Sequence, residues 1–162
     1  MEDDVDGLVE GWRQALPGVD VSPLEVLSRV TRLARHLDRQ RSIVFARHDL
    51  ETWTFDVLSA LRRAPVPHQL SPGQLVAQTL VTSGTMTNRI DHLEQRGLVR
   101  RRPDPADARS VRVQLTAAGR RRVDRALQDL VQREDAILGA LDTTERATLA
   151  GLLRRVVAPF DA

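Results

Sequence analysis

The chain has no cysteine among its 162 residues, so disulfides, thiolate-held metals and thiol redox sensing are excluded at the outset. It has no lysine either. All 24 basic residues are arginine, whose charge hardly titrates below about pH 12, and 22 acidic residues bring the formal net charge to +2. No apolar run approaches the roughly 18 residues a membrane span requires, and the acidic start "MEDDVDGLVE" has no apolar stretch of a secretory signal. A soluble, cytoplasmic protein with no membrane contact is expected. No phosphate-binding loop, G-x-S-x-G or H-E-x-x-H occurs, and His36, His48, His68 and His92 have no metal-ligand spacing. Neighbouring Asp and Arg residues have no nucleophile to serve, so neither an enzyme nor a cofactor is expected.

What is present is a segregated charge. Eleven arginines and five acidic residues lie between Thr85 and Arg125, a local net charge of +6, whereas the rest of the chain carries −4. A basic block in an otherwise acidic chain is the footprint of a protein that meets phosphate on one face, although a solvated arginine-rich face has the same composition. The length suits a single folded unit with one core.

Hydrophobic periodicity predicts mostly helix. Leu24, Leu27, Val30, Leu33, Ala34 and Leu37 recur at helical spacing behind Ser22 and Pro23, read as cap and first-turn proline, and the pattern continues through Ile43 and Val44 toward His48. A helix near Trp53 to Arg63 turns Val57, Leu58 and Leu61 inward and is stopped by "APVP". Ser71-Pro72 opens a short helix through Gln78, a turn follows around Thr79 to Thr82, and a second helix runs from about Ser83 to Arg96 with Gly97 as its stop. That is helix-turn-helix spacing. Met86, Ile90 and Leu93 form the buried stripe of the second helix, with Gly84, Thr87, Asn88, Asp91 and Gln95 roughly opposite. Small and amide side chains on an outer face suit entry into a major groove, so Ser83, Thr85, Thr87 and Asn88 are candidate DNA contacts.

The next stretch predicts a β-hairpin. Val99 to Arg102 and Arg109 to Leu115 flank "PDPADA", and Val111, Val113 and Leu115 alternate with Arg112 and Gln114 as in a half-buried strand. A hairpin directly after a recognition helix is a wing, whose Arg100, Arg101, Arg102 and Arg112 are candidates for phosphate and whose tip can enter a minor groove. Alternation leaves only some of the three stem arginines facing phosphate. Beyond Thr116, one long helix carries Val123, Leu127, Leu130, Val131 and Leu138, and a last one carries Leu149, Leu152, Leu153 and Val156, with Asp142 and Glu145 as its capping pair.

The run "GTMTNRIDHLEQRGLVRRRPDPADARSVRVQLTAAGRR" resembles the winged-helix core of MarR-family transcriptional regulators, through Asp107, Arg109 and "LTAAG" at the end of the wing. Ala108 stands where many members carry a second basic residue. The resemblance implies a mainly α fold with a small β-hairpin wing. A winged helix-turn-helix region at 50–116 would lie between N-terminal and dimerisation helices at 1–48 and C-terminal dimerisation helices at 117–162. It also implies a homodimer on double-stranded DNA, with Arg109 in the minor groove oriented by Asp107.

A narrower resemblance, carried by "WTFDVLSALRRA", "MTNRIDHLE" and an N-terminal segment with Trp12, is to the urate-responsive branch of the family. It implies an effector site of Trp12, Asp56, Arg63 and Arg89. Helical geometry brings Asp56 and Arg63 within roughly 20° of one face, and Arg89 lies toward the side of its helix rather than on the outer face. A planar purine anion suits guanidinium forks, an indole and a carboxylate; an internal salt bridge with Trp12 as core filler uses the same residues. A repressor released by urate or a related purine, the same fold answering a phenolic or aromatic carboxylate or no ligand, and a helical ligand-binding or interaction module with an acidic protein partner are the readings carried forward.

Overall fold

The computed structural model describes residues 2–104 and 107–160, without the side chains of Ala108 and Arg109. It divides into two compact units, residues 1–43 and 44–162. In the first unit, helix α1 (Asp4–Ala15) is opened by a capping box in which Asp3 accepts from the Val5 and Asp6 N–H groups and Asp6 accepts from that of Asp3. Helix α2 (Ser22–Arg47) starts one residue earlier than the sequence pattern suggested. Ser22, expected as its cap, is already helical, and Asp20 accepts the Ser22 N–H at 2.9 Å. Charge stitches α1 to α2: Arg29 reaches Asp3 and Asp6 at 2.9 and 2.6 Å, and Arg32 pairs with Asp4. Among the described residues Val5, Val9 and Val21, with Leu24 against them, form a small apolar cluster here.

The second unit holds the main core. Helices α3 (Thr52–Arg63), α4 (Pro72–Thr79) and α5 (Ser83–Gln95) pack against strands β2 (Val99–Asp104) and β3 (Asp107–Leu115) and helix α6 (Ala117–Ile137), with α7 (Thr143–Val157) last. Val57, Leu58 and Leu61 of α3 meet Leu75, Met86, Ile90, Leu93, Leu98 and Val113, all almost fully buried. Each such side chain contributes about 1.5–3 kcal/mol of transfer free energy. The expected buried stripe of α5 is therefore the observed one.

Local chemistry sets the helix-turn-helix. Ser71 and Gln74 form a capping box at α4 with Pro72 in its first turn, Leu80 ends α4 in the left-handed conformation, and Thr82 caps α5 by accepting from the Thr85 N–H. Gly97, at φ +67°, ends that segment where a side chain would be strained. The sheet has one more strand than the expected hairpin. A two-residue β1 (Gln69–Leu70) pairs antiparallel with β3, Leu70 opposite Val113, giving the order β1-β3-β2. The wing strands also run closer to the tip than expected. Asp142 and Glu145 form the expected capping box of α7.

Candidate nucleic-acid interface and effector cavity

Ser83, Thr85, Thr87 and Asn88 are all exposed on the first turns of α5, while Met86 and Ile90 pin the opposite side. Thr82 donates to the Thr85 hydroxyl at 2.9 Å and Thr87 to the Ser83 carbonyl at 3.1 Å, which holds two of these side chains close to the helix. The surface they make is polar, small and convex, as a groove-reading helix requires. Asp91, expected with them on the outer face, is half-buried and turned to the wing.

The three stem arginines separate. Arg100 and Arg102 are exposed, Arg100 donating to Gln114 at 2.9 Å. Arg101 lies between β2 and α5, where its guanidinium reaches Asp91 and also Glu94 at 2.5 Å, and its backbone N–H donates to Glu94 at 2.7 Å. Burial opposes the charge of Arg101, but the bonds to Asp91 and Glu94 outweigh it and hold the pKa above its ordinary value. The bond from the Arg101 N–H, followed by its guanidinium, holds the Glu94 carboxyl below the usual range. Arg112 is likewise half-buried, donating to Asp104 at 2.6 Å and to Gln74 of α4 at 3.1 Å. The wing is thus tied to both helices of the helix-turn-helix. Asp107 accepts from Ser110 at 2.7 Å, and the side chain of Arg109, its expected partner, lies outside the described residues.

The far end of α5 is fixed by Arg96, which donates to the Asp49 carboxylate at 2.9 Å, to the Asp49 carbonyl and to Glu51 at 3.1 Å. Arg122 of α6 shares Asp49 at 2.8 Å. The bond from Arg96, then its charge, depresses the Asp49 pKa.

Of the four expected effector residues, Asp56 and Arg63 line one cavity of about 210 Å³, with Phe55, Ser59 and Gln78, Thr79 and Leu80 at the end of α4. Arg89 is half-buried on the side of α5, as expected, with its guanidinium 5.3 Å from the centre of the Trp53 ring. Trp53, which also meets His92 edge-on at 5.7 Å, was not singled out by the sequence pattern; an aromatic one turn before Val57 was its only signal. Trp12 lies in the first unit and is about half exposed. Among the described residues no group of His, Asp or Glu could hold a metal, and no helix is long and apolar enough to cross a membrane.

A two-helix reader followed by an arginine-bearing antiparallel hairpin defines a winged helix-turn-helix DNA-binding protein. The chain belongs to the MarR family, whose family model matches residues 48–110. It is 37% identical over 153 residues to the HTH-type transcriptional regulator PecS of Dickeya dadantii (strain 3937), spanning 94% of this chain and 92% of that protein. It also resembles a mutant MarR from E. coli solved in complex with operator DNA, at 28% identity and TM-score 0.66 over 90% of this chain and 97% of that one. Bordetella bronchiseptica BpsR, whose DNA binding is regulated by 6-hydroxynicotinic acid, is similar at 30% identity and TM-score 0.60 over 79% of this chain and 98% of that one. The chain is accordingly a transcriptional regulator and not an enzyme.

Proposed function

We propose that the protein is a homodimeric repressor that binds a pseudo-palindromic operator and leaves it when a small anionic aromatic ligand, urate or a related purine, occupies the cavity beside α3. The observation that carries this reading is the joint lining of that cavity by Asp56 and Arg63 and by the turn, Thr79 and Leu80, that leads into the recognition helix. An occupant there touches the element that aims α5. At about 210 Å³ the cavity is smaller than the roughly 300–1,000 Å³ of drug-sized sites, which favours a single planar ring system. An anion held by Arg63 would compete with Trp53 and with Asp56 for Arg89, tilt α5 and lower DNA affinity, as linkage requires of a ligand that prefers the unbound state.

In this reading Ser83, Thr85, Thr87 and Asn88 meet bases, Arg100 and Arg102 meet phosphate, and Arg109, with Asp107, serves the minor groove. Residues 50–116 bind DNA, and the helices at 1–48 and 117–162 dimerise. The BpsR likeness favours a second reading in which an aromatic carboxylate is the effector. Gel-shift titrations on the DNA upstream of its own gene, with urate and with salicylate, test both. Wild-type protein is expected to release this DNA with urate, and Arg63→Ala and Arg89→Ala to bind it but resist release. Release by urate in both variants, or no preference for this DNA over random sequence, would overturn the respective part of the reading.

A further inference from the structure

Several arginines of this chain are neutralised at short range. Arg29, Arg62, Arg96, Arg101, Arg112 and Arg146 each meet a carboxylate. Others converge on one another instead. Arg121, Arg122 and Arg125 of α6, Arg47 at the end of α2, and His48 and Asp49 just after it line an open cavity of about 390 Å³. Four guanidiniums and one carboxylate line it, and the His48 imidazole is already engaged by Asp129 at 2.8 Å. Asp49 offsets only Arg122, at 2.8 Å, and is itself shared with Arg96. Arg47, Arg121 and Arg125 are exposed and have no carboxylate partner among the described residues.

Like charges converging on one cavity repel one another and are stabilised together by an anion bearing more than one charge. Guanidinium forks fit the oxygens of phosphate two at a time, whereas a monovalent halide would leave most donors unused. The cavity also exceeds what a single small ion needs, and its volume falls within the range of small-molecule sites. We propose that it is a binding site for a phosphorylated small molecule, held by Arg47, Arg121, Arg122 and Arg125.

Phosphate could also be presented by a DNA backbone, but the site is joined to the wrong end of the reader. Asp49 and Arg96 connect it to the C-terminal end of α5, whereas Ser83 to Asn88 lie at the other end of a helix of 13 residues, about 20 Å long. Because Arg122 serves both the cavity and Asp49, an occupant bears on the network that fixes α5.

Inorganic pyrophosphate is the probe. Calorimetric titration of the full chain at constant ionic strength is expected to show saturable binding, weakened at least tenfold by Arg121→Ala with Arg125→Ala and weakened also by Arg47→Ala on a different element. Operator affinity and its salt dependence, measured without pyrophosphate, are expected to be unchanged in both variants. Absence of saturable binding, or equal affinity in wild type and the double variant, overturns the proposal. So does a double variant with weaker operator binding and a shallower salt slope, which would assign these arginines to the DNA backbone. Should the double variant fail to fold, Arg47→Ala decides alone. The pyrophosphate measurement uses no DNA, so failure of the operator reading would leave it standing.

Discussion

Arg101 and Arg102 are adjacent and carry the same charge, yet β-strand alternation sends one against α5 and the other outward. Their substitutions separate two contributions to DNA affinity. Each phosphate contact adds about 0.9 to the slope of log affinity against log salt concentration, because a counter-ion is released for it. Arg102→Ala is expected to weaken binding and lower that slope by about one. Arg101→Ala is expected to weaken binding with the slope unchanged, since it loosens the wing from the helix; each of its half-exposed ion pairs is worth about 1 kcal/mol or less. A slope lowered by one in Arg101→Ala would make it a phosphate ligand after all. The same latch has a defined pH dependence. The Glu94 carboxyl has a depressed pKa, so its stabilisation is complete above the ordinary carboxylate range and is lost as pH falls through the depressed value.

At the scale of elements, α6 is locked to the recognition helix through its third residue. Thr116 caps α6 and donates through its hydroxyl to the carbonyls of Gly97 and Leu98, which follow α5. Gly119 then lies so close that a Cβ would stand 2.1 Å from the Leu98 carbonyl oxygen and 2.9 Å from Leu115 Cδ1. Gly119→Ala is expected to cost about 1–3 kcal/mol or more in urea unfolding. Gly84→Ala, where nothing lies within 4 Å, is expected to be neutral or to stabilise by up to about 1 kcal/mol. Equal stability of the two variants would sink the close-approach explanation. The glycine of "LTAAG" was visible in the sequence, but the carbonyl it accommodates belongs to Leu98, in a segment well before it. The same division holds elsewhere. Caps and periodicity are local, so α4, α5, the wing and the α7 capping box were legible. The strand β1 has two residues and a partner more than forty positions away, and the Arg101 and Trp53 contacts arise only when a strand or helix is laid on its neighbour. Asp56 and Arg63 were placed on one face by helix geometry, whereas the residues completing their cavity come from α4 and its turn.

For the molecule as a whole, the unresolved account is apolar surface. No residue of α7 is buried in the single chain, and Leu127 and Val131, one turn apart on α6, are about half exposed, as are Leu152 and Val156 on α7. In the first unit, Leu8, Trp12, Val26 and Leu27 are similarly exposed. Monomeric soluble proteins rarely leave large apolar helix surfaces in water. In the proposed twofold pair each such face would be covered by its own copy, and the two recognition helices would stand about 34–36 Å apart, one turn of DNA. Leu127→Arg with Val131→Arg places two charges on that face without touching the core around Val123 and Ala126. Light scattering on the purified protein is expected to give the 18.1 kDa mass of one chain for this variant and twice that for the wild type. Operator affinity is expected to fall much further than the loss of any single contact would cause, because the second half-site is then no longer held at high effective concentration. A variant that stays dimeric would move the interface off α6, and a wild type that is monomeric at micromolar concentration would remove the basis for a palindromic operator.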